Sequence, residues 1–317
     1  MTILLVALGL VLLAAGGEAL VRGAVGAART LGVSPLLVGL TLVGFGTSMP
    51  ELVTSLFAAF EQAPGIAVGN VVGSNSANIL LILGLTALVA PLAVKPAAFR
   101  RDGLALVGST IACVAAVLVG FLDRWLGIAF VALLVGYIAW AYRSERRQPD
   151  AETEMHEHVA ADAPVGPKSV LLSVGLALVG IAVTVSGARI LVGAAIDLAA
   201  GFGVSDTVVG LTVVAIGTSL PELVACVVAA LRRHPDVALG NIVGSNIYNV
   251  LGILGLTAVV HPIPVPPEIA HFDVWVLVGA TALLALFLRS GWTLKRWEGG
   301  VFVALYAGYV GWLVATA

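Results

Sequence analysis

Apolar residues run through this chain in blocks too long for the strands and helices of a soluble core. Ten blocks approach the ~20 residues that a helix needs to cross a bilayer. They cover 3–28, 35–61, 65–90, 98–121, 125–142, 169–198, 206–231, 236–260, 272–289 and 293–315. The expectation is an all-α membrane protein with ten transmembrane helices. The first and sixth blocks are long enough to tilt or to bend onto the surface. The stretch Met1 to Ala15 has the apolar core of a signal peptide but no basic segment before it, so it reads as the first span. One interval breaks the pattern. Residues 143–168 hold Glu145, Asp150, Glu152, Glu154, Glu157 and Asp162 with three prolines, and read as a disordered linker. His156 and His158 lie beside Glu154 and Glu157, in a tract read as solvated rather than metal-binding.

The apolar pattern is also written twice. Leu31–Pro91 falls on Phe202–Pro262 without a gap, and 35 of the 61 aligned positions are identical. That is an internal duplication. It divides the chain into a first five-helix repeat (1–142), a linker (143–168) and a second five-helix repeat (169–317). Two copies with an odd number of helices insert in opposite orientations, so the expected architecture is two inverted five-helix repeats. In transporters built this way the substrate site lies at the repeat interface.

Composition agrees with the membrane reading and adds orientation. Of 317 residues, 60% are hydrophobic and 11% charged, against about 25% charged in soluble domains. A net charge of −2 without a basic stripe gives no reason to expect nucleic acid. The chain names no protein partner beyond the lipid bilayer. Cys113 and Cys226 sit in apolar segments and read as buried, inert thiols. If alternate loops face alternate sides, 14 of the 16 Lys and Arg residues share one side, leaving only Arg124 and Arg189 on the other. The basic side is cytoplasmic. Both termini then lie outside and the linker inside, as a multi-pass protein of the cell membrane.

Chemistry concentrates in the duplicated stretch. The first copy reads Gly46-Thr47-Ser48-Met49-Pro50-Glu51 and then Gly69-Asn70-Val71-Val72-Gly73-Ser74-Asn75-Ser76-Ala77-Asn78. The second reads Gly217-Thr218-Ser219-Leu220-Pro221-Glu222 and Gly240-Asn241-Ile242-Val243-Gly244-Ser245-Asn246-Ile247-Tyr248-Asn249. A charge at the bilayer centre costs about 2.5–3.5 kcal/mol on the insertion scale, so Glu51 and Glu222 mark a functional site. Each proline removes an amide donor and frees a carbonyl four residues back, at Gly46 and Gly217. Thr47 shares a helix face with Glu51, and Thr218 with Glu222. Ser74 and Asn78, like Ser245 and Asn249, are one turn apart. The result is a hard, all-oxygen donor set, suited to Ca²⁺ and also to Na⁺. Ligation is the preferred role for Glu51, Glu222, Ser74, Asn78, Ser245 and Asn249. For Asn70, Asn75, Asn241 and Asn246, ligation and the gluing of helices stay equally open. The two glutamates give −2, which one Ca²⁺, two Na⁺ or two protons neutralise, and this favours exchange of one load for another. Glu18 and Arg22, one turn apart, read as an ion pair on the helix surface. An intramembrane enzyme would require a nucleophile or metal cluster, and no His or Cys is expected near the motif glutamates, so the chain is not read as an enzyme. A cation channel is the other class, but two broken helix pairs facing one site suit occlusion better than a pore.

The doubled motif closely resembles the paired repeats of the sodium/calcium exchanger family, within the calcium:cation antiporter superfamily, and the likeness spans nearly the whole chain. The resemblance implies a prokaryotic-type antiporter that exchanges Ca²⁺ for Na⁺ by alternating access, with helices one and six sliding past a fixed core. It implies Ca²⁺ ligation by Glu51, Glu222, Thr47 and Thr218. It implies Na⁺ ligation by Ser48, Ser74, Asn78, Ser219, Ser245 and Asn249. The only non-protein species implied are the transported Ca²⁺ and Na⁺; no cofactor is expected. The chain departs from archaeal relatives in carrying Asn249 where aspartate can stand. It lacks the large cytoplasmic calcium-sensing domains of animal exchangers. Proton/calcium relatives surround the glutamate with a Gly-Asn-x-x-Glu motif; the Thr-Ser-x-Pro-Glu found here favours sodium. The alternative is an H⁺/Ca²⁺ or K⁺-assisted exchanger.

Overall fold

The computed structural model of the chain describes residues 1–31, 44–93, 96–147, 169–231, 235–289 and 291–316. The first half opens with α1 (Thr2–Thr30), followed by α2 (Gly44–Thr47) and α3 (Met49–Phe60). Next come α4 (Pro64–Ala77), a π-helical segment (Asn78–Leu83) and α5 (Gly84–Val89), which together form one rod. Then α6 (Pro96–Val119) and α7 (Arg124–Arg147) close the half. The second half repeats the order. It contains α8 (Val170–Phe202), α9 (Asp206–Val209), a π segment (Gly210–Val214) and α10 (Ala215–Thr218). After these come α11 (Leu220–Leu231), α12 (Pro235–Ile247), a π segment (Tyr248–Leu254) and α13 (Gly255–Val260). A last π segment (Ile269–Asp273) leads into α14 (Val274–Arg289), and α15 (Arg296–Thr316) ends the fold.

Among the described residues, eight helices are long and apolar enough to cross a membrane, and a ninth results if the pair Asp206–Thr218 and Leu220–Leu231, bent by 44°, counts as one span. The block expected at 35–61 is described only from residue 44 onward. Its remainder contains the apolar helix α3. Most of the expected linker, 148–168, lies outside the described residues, as do His156 and His158. The helix before it runs on to Arg147 rather than ending at 142, because Arg143, Glu145, Arg146 and Arg147 are good helix formers. Four two-residue strands were not anticipated. β1 (Leu92–Ala93) pairs with β4 (Thr293–Leu294), and β2 (Phe121–Leu122) pairs with β3 (Ile263–Pro264), both antiparallel. They satisfy backbone groups in the loops that cap the spans.

Glycine sets the closest packing. A Cβ on Gly9 would stand 2.9 Å from the amide of Leu191, and one on Gly187 would stand 2.7 Å from the amide of Leu13. With Gly16, Gly23 and Gly180 they line a seam along which α1 and α8 run antiparallel, backbone against backbone. At 33 residues and about 1.5 Å per residue, α8 is ~50 Å long, so it crosses a ~30 Å hydrocarbon layer only by tilting.

The two halves interlock. A Cβ on Gly73 of α4 would stand 2.7 Å from the carbonyl oxygen of Leu211. One on Gly127 of α7 would stand 2.7 Å from that of Gly255, and one on Gly299 of α15 would stand 2.6 Å from that of Gly84. Thus α7 leans on α13, and α15 leans on α5. The motif helices end up in the middle, where Ile66, Val68, Val71, Ile242 and Val250 are fully buried.

Candidate cation site

Each copy of Thr-Ser-x-Pro-Glu folds as a break between two short helices. Ser48 has φ −87° and ψ 10°, and Ser219 has φ −87° and ψ 7°, both off the α-helical values. Proline one residue into the next helix fits the break, because the amide it lacks there needs no partner. The glutamate follows in the first turn, at a helix N-terminus where negative charge is favoured. Both carboxylates are fully buried.

The hydrogen bonds at these breaks cross between the halves. Ser219 Oγ donates to Glu51 Oε1 at 3.0 Å, and Ser48 Oγ donates to Glu222 Oε1 at 3.4 Å. Serine of one repeat therefore holds glutamate of the other, and the two carboxylates face one central space. The second motif crosses in the same way. Asn75 Nδ2 donates to the carbonyl of Asn246 at 3.1 Å, and Asn246 Nδ2 returns a bond to that of Asn75 at 3.2 Å. Asn78 Nδ2 donates to Asn246 Oδ1, and Asn249 Nδ2 to Asn75 Oδ1, both at 2.9 Å. Each of these bonds maps onto its mate when 171 is added to one repeat.

These bonds leave several buried oxygens over. Glu51 Oε2, Glu222 Oε2, Asn78 Oδ1, Asn249 Oδ1, Ser245 Oγ and Thr47 Oγ1 are buried without a hydrogen-bond partner. An orphaned buried oxygen costs about 1–3 kcal/mol. A cation is the partner that an acceptor-only carboxylate oxygen and a fixed amide oxygen share. Ser48, Ser219, Ser74 and Thr218 spend their protons on protein acceptors, Ser74 on the carbonyl of Ala215 at 3.3 Å and Thr218 on that of Val214 at 3.0 Å. Their lone pairs remain available. Among the described residues no three His, Cys, Asp or Glu side chains form a metal-holding group. The charge of the site is that of Glu51 and Glu222.

The four amides with two open roles all bond across helices. Asn70 Nδ2 donates to the Glu51 carbonyl at 3.1 Å and to Ser55 Oγ at 2.9 Å, while its Oδ1 lies 3.1 Å from Thr218 Oγ1, where it shares that hydroxyl's proton with the Val214 carbonyl. Asn241 Nδ2 instead meets Cys226 Sγ at 3.5 Å. This corrects one expectation: a cysteine does lie near a motif glutamate. Cys226 is fully buried one helical turn after Glu222, at the position that Ser55 holds in the first repeat. The spacing was visible in the sequence.

The π segments at Asn78 and Tyr248–Asn249 were not foreseen either. A π turn widens the helix while keeping its amides bonded, and it re-aims the last asparagine of each motif. A further pair of buried carboxylates also escaped notice, although Asp102 and Asp273 share the same offset of 171. Tyr137 donates to Asp102 and Tyr309 to Asp273, each at 2.8 Å, and Arg101 pairs with Asp102 at 2.8 Å. They tie α6 to α7, and the start of α14 to α15. Glu18 and Arg22 form the expected ion pair at 2.7 Å.

Comparison with known proteins agrees with this architecture. The family model described as sodium/calcium exchanger protein matches residues 1–143 and 172–315. CaxA of Alkalimonas amylolytica is 38% identical over 96% of each chain. The sodium/calcium exchanger MaX1 of Methanosarcina acetivorans is 34% identical over 97% of each. A solved structure of the sodium-calcium exchanger NCX_Mj, soaked with Na⁺ and Sr²⁺, superposes with a TM-score of 0.64 at 32% identity, covering 98% of this chain and 99% of that one. Such proteins are transporters rather than enzymes. By a family match over both halves and by likeness along the full length of these relatives, this chain belongs to the sodium/calcium exchanger family.

Proposed function

We propose that the chain is a secondary antiporter that exchanges Ca²⁺ for Na⁺ across the cell membrane by alternating access, expelling Ca²⁺ against an inward Na⁺ gradient. The observation that carries this is the set of matched orphan oxygens, Glu51 Oε2 with Glu222 Oε2 and Asn78 Oδ1 with Asn249 Oδ1. Two carboxylates balance one Ca²⁺ or two Na⁺, and neutral amides extend the set without adding charge. Glu51, Glu222, Thr47 and Thr218 are assigned to Ca²⁺. Ser48, Ser74, Asn78, Ser219, Ser245 and Asn249 are assigned to Na⁺.

The proposed membrane arrangement is ten spans in two inverted five-helix repeats, 1–142 and 169–317, joined by a cytoplasmic linker at 143–168, with both termini outside. The short strands support it. β1 and β4 both fall in loops that the charge pattern assigns to the cytoplasm, and β2 and β3 both fall in outer loops. Adding 171 carries Leu92–Ala93 onto Ile263–Pro264, so equivalent loops fall on opposite faces. Access would alternate as the α1–α8 pair shifts along the core. A Cβ on Gly17 would meet Pro50 at 3.7 Å, so this surface is smooth beside the helix breaks.

The test is ⁴⁵Ca²⁺ uptake into proteoliposomes under imposed Na⁺, K⁺ or H⁺ gradients. Uptake driven by an outward Na⁺ gradient alone supports the reading. Uptake that requires K⁺, or follows only a proton gradient, replaces it with the alternative exchanger. Uptake without any counter-ion rules out exchange.

A further inference from the structure

We infer that Cys226 gives the second-repeat side of the site a soft-cation subsite, at which a thiophilic divalent ion such as Cd²⁺ binds through Cys226 Sγ and the Glu222 carboxylate. This rests on the reading of Glu222 as a cation ligand.

The geometry is a ladder between two packed helices. On α11, Glu222 and Cys226 are one turn apart on the same face, a spacing that brings Cβ atoms within about 5–6 Å. On α12, Asn241 and Ser245 are likewise one turn apart, and the two helices run antiparallel. The inner rung is closed: Asn241 Nδ2 donates to Cys226 Sγ at 3.5 Å, and the thiol donates to the carbonyl of Ala238 at 3.4 Å. One turn further along the two helices stand Glu222 on α11 and Ser245 on α12. Glu222 Oε2 and Ser245 Oγ are both unpartnered, and their residues are 0% and 1% exposed. A buried sulfur thus lies one helical turn from a buried carboxylate whose Oε2 has no hydrogen-bond partner.

The first repeat lacks this arrangement. Its inner rung is Asn70 Nδ2 on Ser55 Oγ at 2.9 Å, and Ser74 of its next rung is bonded to Ala215. The sulfur therefore marks one side of an otherwise matched site. Ca²⁺ and Na⁺ prefer oxygen, so the thiol adds little for them. A soft ion gains from thiolate. Binding breaks the S–H bond, releases the proton to water and forms a sulfur–metal bond, so the thiol contributes one negative charge alongside that of Glu222.

The experiment uses the full-length protein and Cd²⁺. Detergent-purified protein is titrated with Cd²⁺ while ultraviolet thiolate-to-metal charge-transfer absorption and proton release are followed. Proteoliposomes report block of Ca²⁺ exchange, normalised to each variant's own rate without Cd²⁺. The wild type and the Cys113→Ser control are expected to show the absorption band with about one proton released per Cd²⁺ bound. Cys226→Ser and Cys226→Ala are expected to lose the band and to require about tenfold or more Cd²⁺ for half-block. Absence of the band in the wild type overturns the inference without needing a variant. Equal Cd²⁺ potency in the wild type and both Cys226 variants overturns it too, since oxygen ligands alone would then hold the ion. A Cys226-dependent band in a protein that fails to exchange Ca²⁺ would refute the transport reading and leave the subsite standing.

Discussion

Glu51→Gln is the sharpest test of the proposed site. The substitution keeps shape and volume and removes one of the two charges. Glutamine still offers an oxygen to Ser219 Oγ, which now donates at 3.0 Å to Glu51 Oε1. Its amide nitrogen takes the place of Oε2, the oxygen without a partner, and points a donor at the cation. Leaving a buried charge without its partner costs about 3–5 kcal/mol, and here the stranded charge would be on the bound Ca²⁺. That corresponds to a loss of roughly 10²- to 10⁴-fold in calcium affinity. The fold is expected to survive, because an empty site with one buried carboxylate fewer is no harder to assemble. Two assays separate these effects. ⁴⁵Ca²⁺ uptake in proteoliposomes should fall to background. Thermal unfolding in detergent should show a wild type stabilised by Ca²⁺, by about 2.7 kcal/mol at a hundredfold excess over Kd, and a mutant that unfolds normally without Ca²⁺ but gains nothing from it. Glu222→Gln should behave alike, since Ser48 holds Glu222 as Ser219 holds Glu51. Near-normal exchange by either mutant would refute the assignment. So would a mutant that fails to fold even without calcium, because the carboxylate would then be structural.

Acidification should slow calcium exchange between about pH 8 and pH 5.5, because each proton taken by the carboxylate pair removes half the charge that holds Ca²⁺; a flat rate over that range would count against a shared site. Asn249→Asp should alter sodium activation more than calcium capacity and give it a new pH dependence, and Asn78→Asp should do likewise; calcium affinity that collapses while sodium activation is unchanged would reverse the division of ligands. Asn75→Ala removes the donor to the Asn246 carbonyl and the acceptor for Asn249 Nδ2, so thermal stability should fall by about 1–3 kcal/mol; an unchanged unfolding curve would mean that these cross-repeat bonds are not closed in solution. Gly180→Leu would force a side chain into the backbone of α1 beside Leu20, and should abolish folded protein in detergent extracts; normal expression and exchange would show that the α1–α8 seam is looser than described.

Much of this was legible in the amino-acid sequence, for physical reasons. Apolar blocks pointed to an all-helical membrane protein, because backbone in lipid has no other way to satisfy its hydrogen bonds. Glu51 and Glu222 stood out because buried charge is expensive. The 171-residue offset showed where equivalent parts would fall. Break points at Ser48 and Ser219 followed from Pro50 and Pro221.

Other features existed only once the chain was folded. Periodicity shows which face a residue occupies, but not which residue 168 or 174 positions away will meet it. That Ser48 holds Glu222, and that Asn75 and Asn246 exchange bonds, depends on how two halves interlock. The π turns at Asn78 and Asn249 also come from tertiary packing, since the same residues suit an ordinary α-helix. The sequence alone determined the all-helical membrane class, the duplication and the two buried charges, because these follow from local hydrophobicity, internal identity and the cost of burial. Tertiary structure alone decided which oxygens are left without partners, since that depends on which groups the two halves bring within reach of one another.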